Sequence, residues 1–248
     1  MKDLYEIIKI TTSERKYCQI FSDEHYMKQV DTFKKYSLDL TIDELRNRDK
    51  IEYDNYLDIN IPVGCSMIGG PIVDLPPDIE YPDGYNFMAQ LNCSEIKPCD
   101  KIGLLPENGF LYFFTKNHGD DGIVFYTQKN RNSLNRIVKE HTNSFFYGKT
   151  VKEYKMDTET IETRYEINEG KKEWNYFKGN ELSKIYGIYS NCQASEKEII
   201  NFMEDENKIL LLQIGSNYFD EGCQSVFINI NDLINREFEK CVFEYNQS

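Results

Sequence analysis

The sequence predicts an α+β fold that is mostly β: two similar antiparallel strand-rich halves packed as one unit, with a few short helices. Three observations point there. Short apolar runs bounded by turn formers recur, 110–114 and 123–126 in one part of the chain and 209–214 and 226–230 in another, which is how strands read. Aromatic residues make up 14% of the chain, 18 Tyr and 15 Phe against one Trp, so the core is built from rings with Ile and Leu and the chain is folded, not disordered. The two sets of runs also come in the same order, as an internal duplication would leave them. At 248 residues the chain makes one large domain or two small ones and buries about 70–75% of its unfolded surface.

Residues 1–60 form a polar, mixed N-terminal segment. Leu4, Ile7 and Ile8, beside Tyr5, have the spacing of a short helical stripe. Thr41-Ile42-Asp43-Glu44 reads as a capping box that opens a short helix through Leu45 to Arg48, the Thr hydroxyl and the Glu carboxylate each serving the other's backbone N–H. Alternation over 51–54 and 57–61 suggests edge strands.

The first half covers about 61–126. Gly69-Gly70-Pro71 through Pro76-Pro77, then Tyr81-Pro82-Asp83-Gly84, is expected to be a structured loop, because proline forces extended backbone before it and glycine allows positive φ. Strands follow at 86–92, 110–114 and 123–126, with a loop at 117–122. Residues 127–183 are more polar and read as a connecting region, with strand-like stretches at 151–154 and 163–167.

The second half, 184–248, repeats the first in outline. Ser195 and Glu198 make a second capping box, opening a helix over 195–203. In Ile209–Gly215 an apolar run is interrupted by one glutamine, Gln213, as Gln90 interrupts 86–92. Val226 follows Gln213 by thirteen residues as Leu111 follows Gln90 by twenty-one, and 241–245 echoes 123–126. A helical turn is expected at 231–236.

Charge and cysteines bound the function. The net charge is −13, which repels phosphate backbones and anionic membrane surfaces and favours basic partners. No nucleic-acid and no membrane role is expected; no run of about 18 apolar residues exists to form a spanning helix. Seven cysteines, an odd number with no CxxC pair, together with an N-terminus that lacks an apolar signal segment, suggest the reducing cytoplasm. The Lys/Asn/Ile/Tyr-rich spelling suits an AT-rich bacterial genome.

The run Ile68-Gly69-Gly70-Pro71 to Leu75-Pro76 and Tyr81-Pro82, then 87–92, 105–114, Gly187-Ile188-Tyr189 with Gln193, 210–214, Phe227-Ile228, Asp232-Leu233 and Arg236-Glu237-Phe238, is similar to the bacterial YwqG-like family, a domain of unknown function. The resemblance covers roughly residues 64–245. It implies no agreed reaction or cofactor, and some relatives suggest an immunity-like or accessory role beside toxins. Tyr81 stands where the family usually has Trp, and Ser190 where a Pro usually follows. The stretch 219–224 replaces a Trp-Gly-Asp-x-Gly element, which removes the basis for a role at Asp220.

Five residues are candidate ligand contacts. Gln90 and Gln213 either face a ligand between the halves or bond neighbouring loop backbone, since buried amides must be paired. Tyr81 and Asp74 flank the Gly-Gly-Pro loop, where Asp78, Glu80 and Asp83 supply further carboxylates; paired acids can do acid–base work, and acids are more often solvated rim residues. That loop lacks the Gly-Lys-Ser/Thr of a phosphate cradle. His118 stands beside Asp120 and Asp121, a candidate catalytic or metal position and equally an ordinary polar turn. No cysteine sits in a nucleophile motif, and neither a metal nor a cofactor is expected. The leading expectation is a non-enzymatic binding or immunity-like protein engaging a basic protein partner. The alternative is a small-molecule-binding or hydrolytic enzyme with its site between the halves.

Overall fold

The structure, a computed structural model, describes residues 4–19, 21, 23–116, 121–139, 145–205, 207–218 and 222–247. The chain opens with β1 (Tyr5–Thr12) and β2 (Lys16–Cys18), a helical hairpin α1 (Asp23–Lys35) and α2 (Ile42–Glu52), and β3 (Tyr53–Asn55). Next come β4 (Met67–Gly69), β5 (Ile72–Leu75), β6 (Asn86–Asn92), a short α3 (Cys93–Ile96), β7 (Phe110–Thr115) and β8 (Gly122–Thr127). The middle of the chain gives β9 (Asn135–Val138), the twelve-residue β10 (Gly148–Glu159) and a hairpin of β11 (Tyr165–Asn168) and β12 (Lys171–Trp174). It ends with β13 (Lys184–Ile185), α4 (Glu196–Glu204), β14 (Lys208–Ile214), β15 (Cys223–Asn229), α5 (Ile230–Asn235) and β16 (Val242–Asn246).

Ten of the strands form one antiparallel path, β16-β15-β14-β13-β1-β10-β4-β6-β7-β8. The order is the same from either end: β13 corresponds to β4, β14 to β6, β15 to β7 and β16 to β8, with β1 and β10 paired at the centre. The correspondence holds at single residues. Gln90 pairs with Met67 and Tyr112, and Gln213 with Lys184 and Ser225. Each glutamine follows a bulge two residues earlier, at Met88 and Leu211. The Ser66 hydroxyl accepts from Asn92 N at 2.8 Å, and Ser183 from Gly215 N at 3.1 Å. Their carbonyls accept from Val151 N and Ile10 N, both at 2.9 Å. Gly69-Gly70 and Tyr186-Gly187 both turn at positive φ, 60° and 94° against 64° and 85°. The two similar halves are thus real features of the fold. The sequence count misplaces one match: Tyr112, not Leu111, lies opposite Gln90 as Ser225 lies opposite Gln213, so Val226 corresponds to Phe113. Strand register follows ladder hydrogen bonds and bulges, not loop length.

One face of the sheet holds a core shared by both halves. Ile68, Leu91, Phe113 and Val124 come from the first, and Ile185, Leu212, Val226 and Phe243 from the second, with Ile8 and Ile10 between. On the other face β5, antiparallel to β9, covers Met67, Phe87, Tyr112 and Phe114, while α4 covers Leu210 and Phe227 through Ile199 and Phe202.

The capping boxes form as expected. Thr41 Oγ1 accepts from Glu44 N at 3.2 Å, and Ser195 Oγ from Glu198 N at 3.3 Å. Three expectations need correction. The Leu4–Ile8 stripe is strand β1: it runs through the centre of the sheet, so Ile7, Ile8 and Ile10 are all buried and helical spacing carries no information there. Residues 72–75 of the expected loop are strand β5, paired along its length with β9. Of the suggested edge strands, 51–52 ends α2 and only 53–55 is extended.

Candidate functional site

In the first half, the β4–β6 register sets Gln90 beside Met67, and the Gly69-Gly70 turn folds β5 back across them. Gln90 is fully buried. Its Nε2 donates to Cys65 O at 2.9 Å, and its Oε1 accepts from Asp74 N at 2.8 Å. The Asp74 carboxylate accepts from Gly64 N at 2.8 Å and from the Arg136 guanidinium at 2.8 and 3.1 Å. Its carbonyl accepts from the Tyr112 hydroxyl at 2.8 Å. Tyr81 packs edge-on against Phe114, its hydroxyl accepting from Phe87 N at 3.0 Å, and burial pushes that hydroxyl up to about 12. Of the predicted residues, then, Gln90 and Asp74 meet directly. Tyr81 lines the same satellite core.

Gln213 lies at the corresponding place in the other half. Its Nε2 donates to Leu182 O at 2.8 Å, the counterpart of the Cys65 contact, and to Gly179 O at 2.9 Å. Its Oε1 has no partner, unlike that of Gln90. The flanking positions also differ. Where the first half has Met67 and Tyr112, the second has Lys184 and Ser225. Lys184 is fully buried and donates to Glu159 Oε1 at 2.6 Å and Ile188 O at 2.7 Å. Arg164, also buried, donates to Glu159 Oε2 at 3.2 Å, Ile188 O at 2.9 Å and Ser190 Oγ at 2.8 Å. One carboxylate therefore faces two buried cations. Burial lowers Lys184 to about 8 despite Glu159. The Ser190 hydroxyl, at the place of the expected proline, is one of Arg164's acceptors.

The two glutamines do not converge on one another; each belongs to its own half and bonds its own loops. His118 lies outside the described residues, as does Asp220. Sequence reasoning missed Arg136, Glu159, Arg164 and Lys184. Only Lys184 had a usable signal: the Gly-Gly and Tyr-Gly turns, aligned, would have set it against Met67. Among the described residues no three His, Cys, Asp or Glu side chains are grouped to hold a metal ion. A surface groove of about 290 Å³ lies between α1 and α2, lined by His25, Lys28, Gln29, Thr32, Phe33 and Arg48, and so by none of the candidate residues.

Buried titratable groups set the alkaline limit. Burial pushes Cys18, Cys93 and Cys241 up to about 12 and Cys65 and Cys223 up to about 11. These folded values exceed the unfolded thiol's, so the native state keeps protons that the unfolded chain sheds, and stability falls as pH rises from about 8.5. Lys184 acts oppositely: its lowered value makes the unfolded chain bind more protons between about 8 and 10.4, a gain with rising pH. Five thiols outweigh one lysine. Thermal melts from pH 7 to 11 should show little change up to about pH 8.5 and then a steady fall.

No helix among the described residues is long and apolar enough to cross a membrane. No curated protein matches the sequence. A family model described as a domain of unknown function, DUF1963, matches residues 66–246, from Ser66 beside β4 to the last residue of β16, and so takes in both halves of the sheet. The chain belongs to the DUF1963 family.

Proposed function

We infer that this chain is a non-enzymatic binding protein of the bacterial cytoplasm, of the YwqG-like, immunity-like kind, which engages a basic protein partner through its surface. The observation that carries this reading is the distribution of charge. The buried charges among the described residues are Asp74, Asp100 and Glu159 against Arg164 and Lys184, close to balance. In a chain with net charge −13, the acid excess of the described residues therefore lies toward solvent, where it steers and selects a positively charged partner. The interior polar side chains of the first half, Gln90 and Asp74, are fully engaged with the chain's own backbone and Arg136. The test is affinity capture from the native cell at low and at high salt, with bound proteins identified. A basic partner retained at low salt and released at high salt supports the reading. An acidic partner, salt-independent retention, or no partner at low salt overturns it.

A second reading, a small-molecule-binding or hydrolytic site centred on Gln213, without Gln90, Tyr81 and Asp74, which are engaged in the first half, is favoured by one observation: the buried Oε1 of Gln213 lacks a hydrogen-bond partner. A ligand retained through purification and seen by native mass spectrometry would favour it over the first.

A further inference from the structure

We propose that Cys192 and Cys223 form a redox pair, in which a hydroperoxide oxidises the Cys192 thiol and Cys223 then closes a disulfide with it. The two sulfurs flank a single side-chain amide. The Cys192 Sγ donates to Asn246 Oδ1 at 3.4 Å, and Asn246 Nδ2 donates to the Cys223 Sγ at 3.0 Å. The oxygen and nitrogen of one amide lie only roughly 2 Å apart, as their bonds to a shared carbon require. Among the described residues no other two cysteines share a hydrogen-bond partner.

The positions divide the work. Cys192 is half-buried, in the turn ahead of α4, where a small oxidant reaches it and the backbone can adjust. Cys223 is fully buried at the start of β15, directly across from Asn246 in β16. Its thiol donates to Ser190 O at 3.3 Å, and Ser190 Oγ in turn accepts from Arg164. Burial holds the Cys223 thiol up at about 11, with the Asn246 amide, Ser225 and the Lys184 charge offsetting only part of that rise, so Cys223 stays a thiol until the sulfenic acid forms beside it. Proximity therefore assigns Cys223 the resolving role, and the half-buried Cys192 the role of the thiol that meets the oxidant first.

The chemistry closes. Cys192–SH and ROOH give Cys192–SOH and ROH, the peroxide O–O bond breaking as the S–O bond forms. The Cys223 sulfur then attacks the sulfenic sulfur. The S–S bond forms, the S–O bond breaks, and the oxygen leaves as water with the Cys223 proton. The Asn246 amide, which stands between the sulfurs, moves aside. The bridge ties the turn before α4 to β15 and frees Asn246 from its place on β16. This inference does not depend on the partner reading above.

The test uses the full chain, reduced and then exposed to stepwise hydrogen peroxide. Free thiols are blocked and peptides mapped without reduction. The expected result is a Cys192–Cys223 linked peptide that forms before any other cysteine is oxidised. In Cys192→Ser the link is lost and Cys223 stays reduced; in Asn246→Ala, with the spacer gone, the link forms at lower peroxide. Cys192→Ser lies in a turn and leaves the core intact, so the test does not depend on a Cys223 variant folding. The proposal is overturned if Cys192 advances to sulfinic acid without a link, if it links to another cysteine, or if both thiols survive peroxide that oxidises Cys65, Cys99 or Cys241.

Discussion

Glu159→Gln should destabilise the protein by about 3–5 kcal/mol, measured by denaturant unfolding at pH 7. Glu159 is the one carboxylate that faces both Lys184 and Arg164, and all three side chains are buried. Glutamine keeps the volume and one acceptor, but it leaves Lys184 with no counter-charge and Arg164 with only the exposed Glu181, and its amide hydrogens meet the guanidinium. A second measurement separates charge from packing. Lys184 already has a lowered affinity for its proton, and losing Glu159 lowers it further. The folded variant sheds that proton while the unfolded chain keeps it, so the variant's stability should rise between pH 7 and about 8.5, where that of the parent is nearly level. Adding Lys184→Met, which installs the residue found at the matching place in the first half, should recover part of the loss. A pH-independent loss, with no rescue by the second change, would show that the cluster acts by packing alone.

Gln90→Leu is the other large effect. It strands the buried Asp74 N–H and the part-buried Cys65 carbonyl. Each unsatisfied group costs about 1–3 kcal/mol, so the loss is roughly 2–6 kcal/mol. Because Asp74 anchors Arg136 and the 61–64 loop, the β5–β9 cover should loosen, and amide exchange across 72–75 should quicken. Gln213→Leu should cost less. It strands only the Leu182 carbonyl, since Gly179 O keeps its bond from Leu182 N at 3.3 Å, and it removes a buried oxygen that has no partner in the native protein. Equal losses for the two substitutions would mean that the glutamines are equivalent in energy as well as in place.

The pairing of Gln90 with Gln213 was legible because an amide inside an apolar run is rare enough to mark a position twice. The caps at Thr41 and Ser195 were legible because they depend on residues three apart. The first strand was not. Tyr5–Thr12 carries its apolar residues on both faces because β1 is central and covered on both sides, and such a strand loses the alternation by which strands are read. Helix α1 left little trace, since of its thirteen residues only Tyr26 is buried. Strand β5 was hidden by the prolines that follow it.

The candidate residues divide in the same way. Asp74 was picked for its acidity beside a glycine turn, yet its oxygens answer Arg136, which lies 62 residues on. Nothing local in Thr163-Arg164-Tyr165 announces a buried guanidinium.

By itself the sequence determined the strand-rich class, the duplicated order of the strands and the acidic surface, because these follow from composition, from period-two patterning and from order along the chain. Only the tertiary structure decided that the copies have parted in chemistry: Met67 and Tyr112 close one, while Lys184, Ser225 and the Glu159–Arg164 pair occupy the other. The physical reason is that a buried charge is tolerable only beside its partner, and which partner stands there is set by strand register and loop return, over separations that no local pattern encodes.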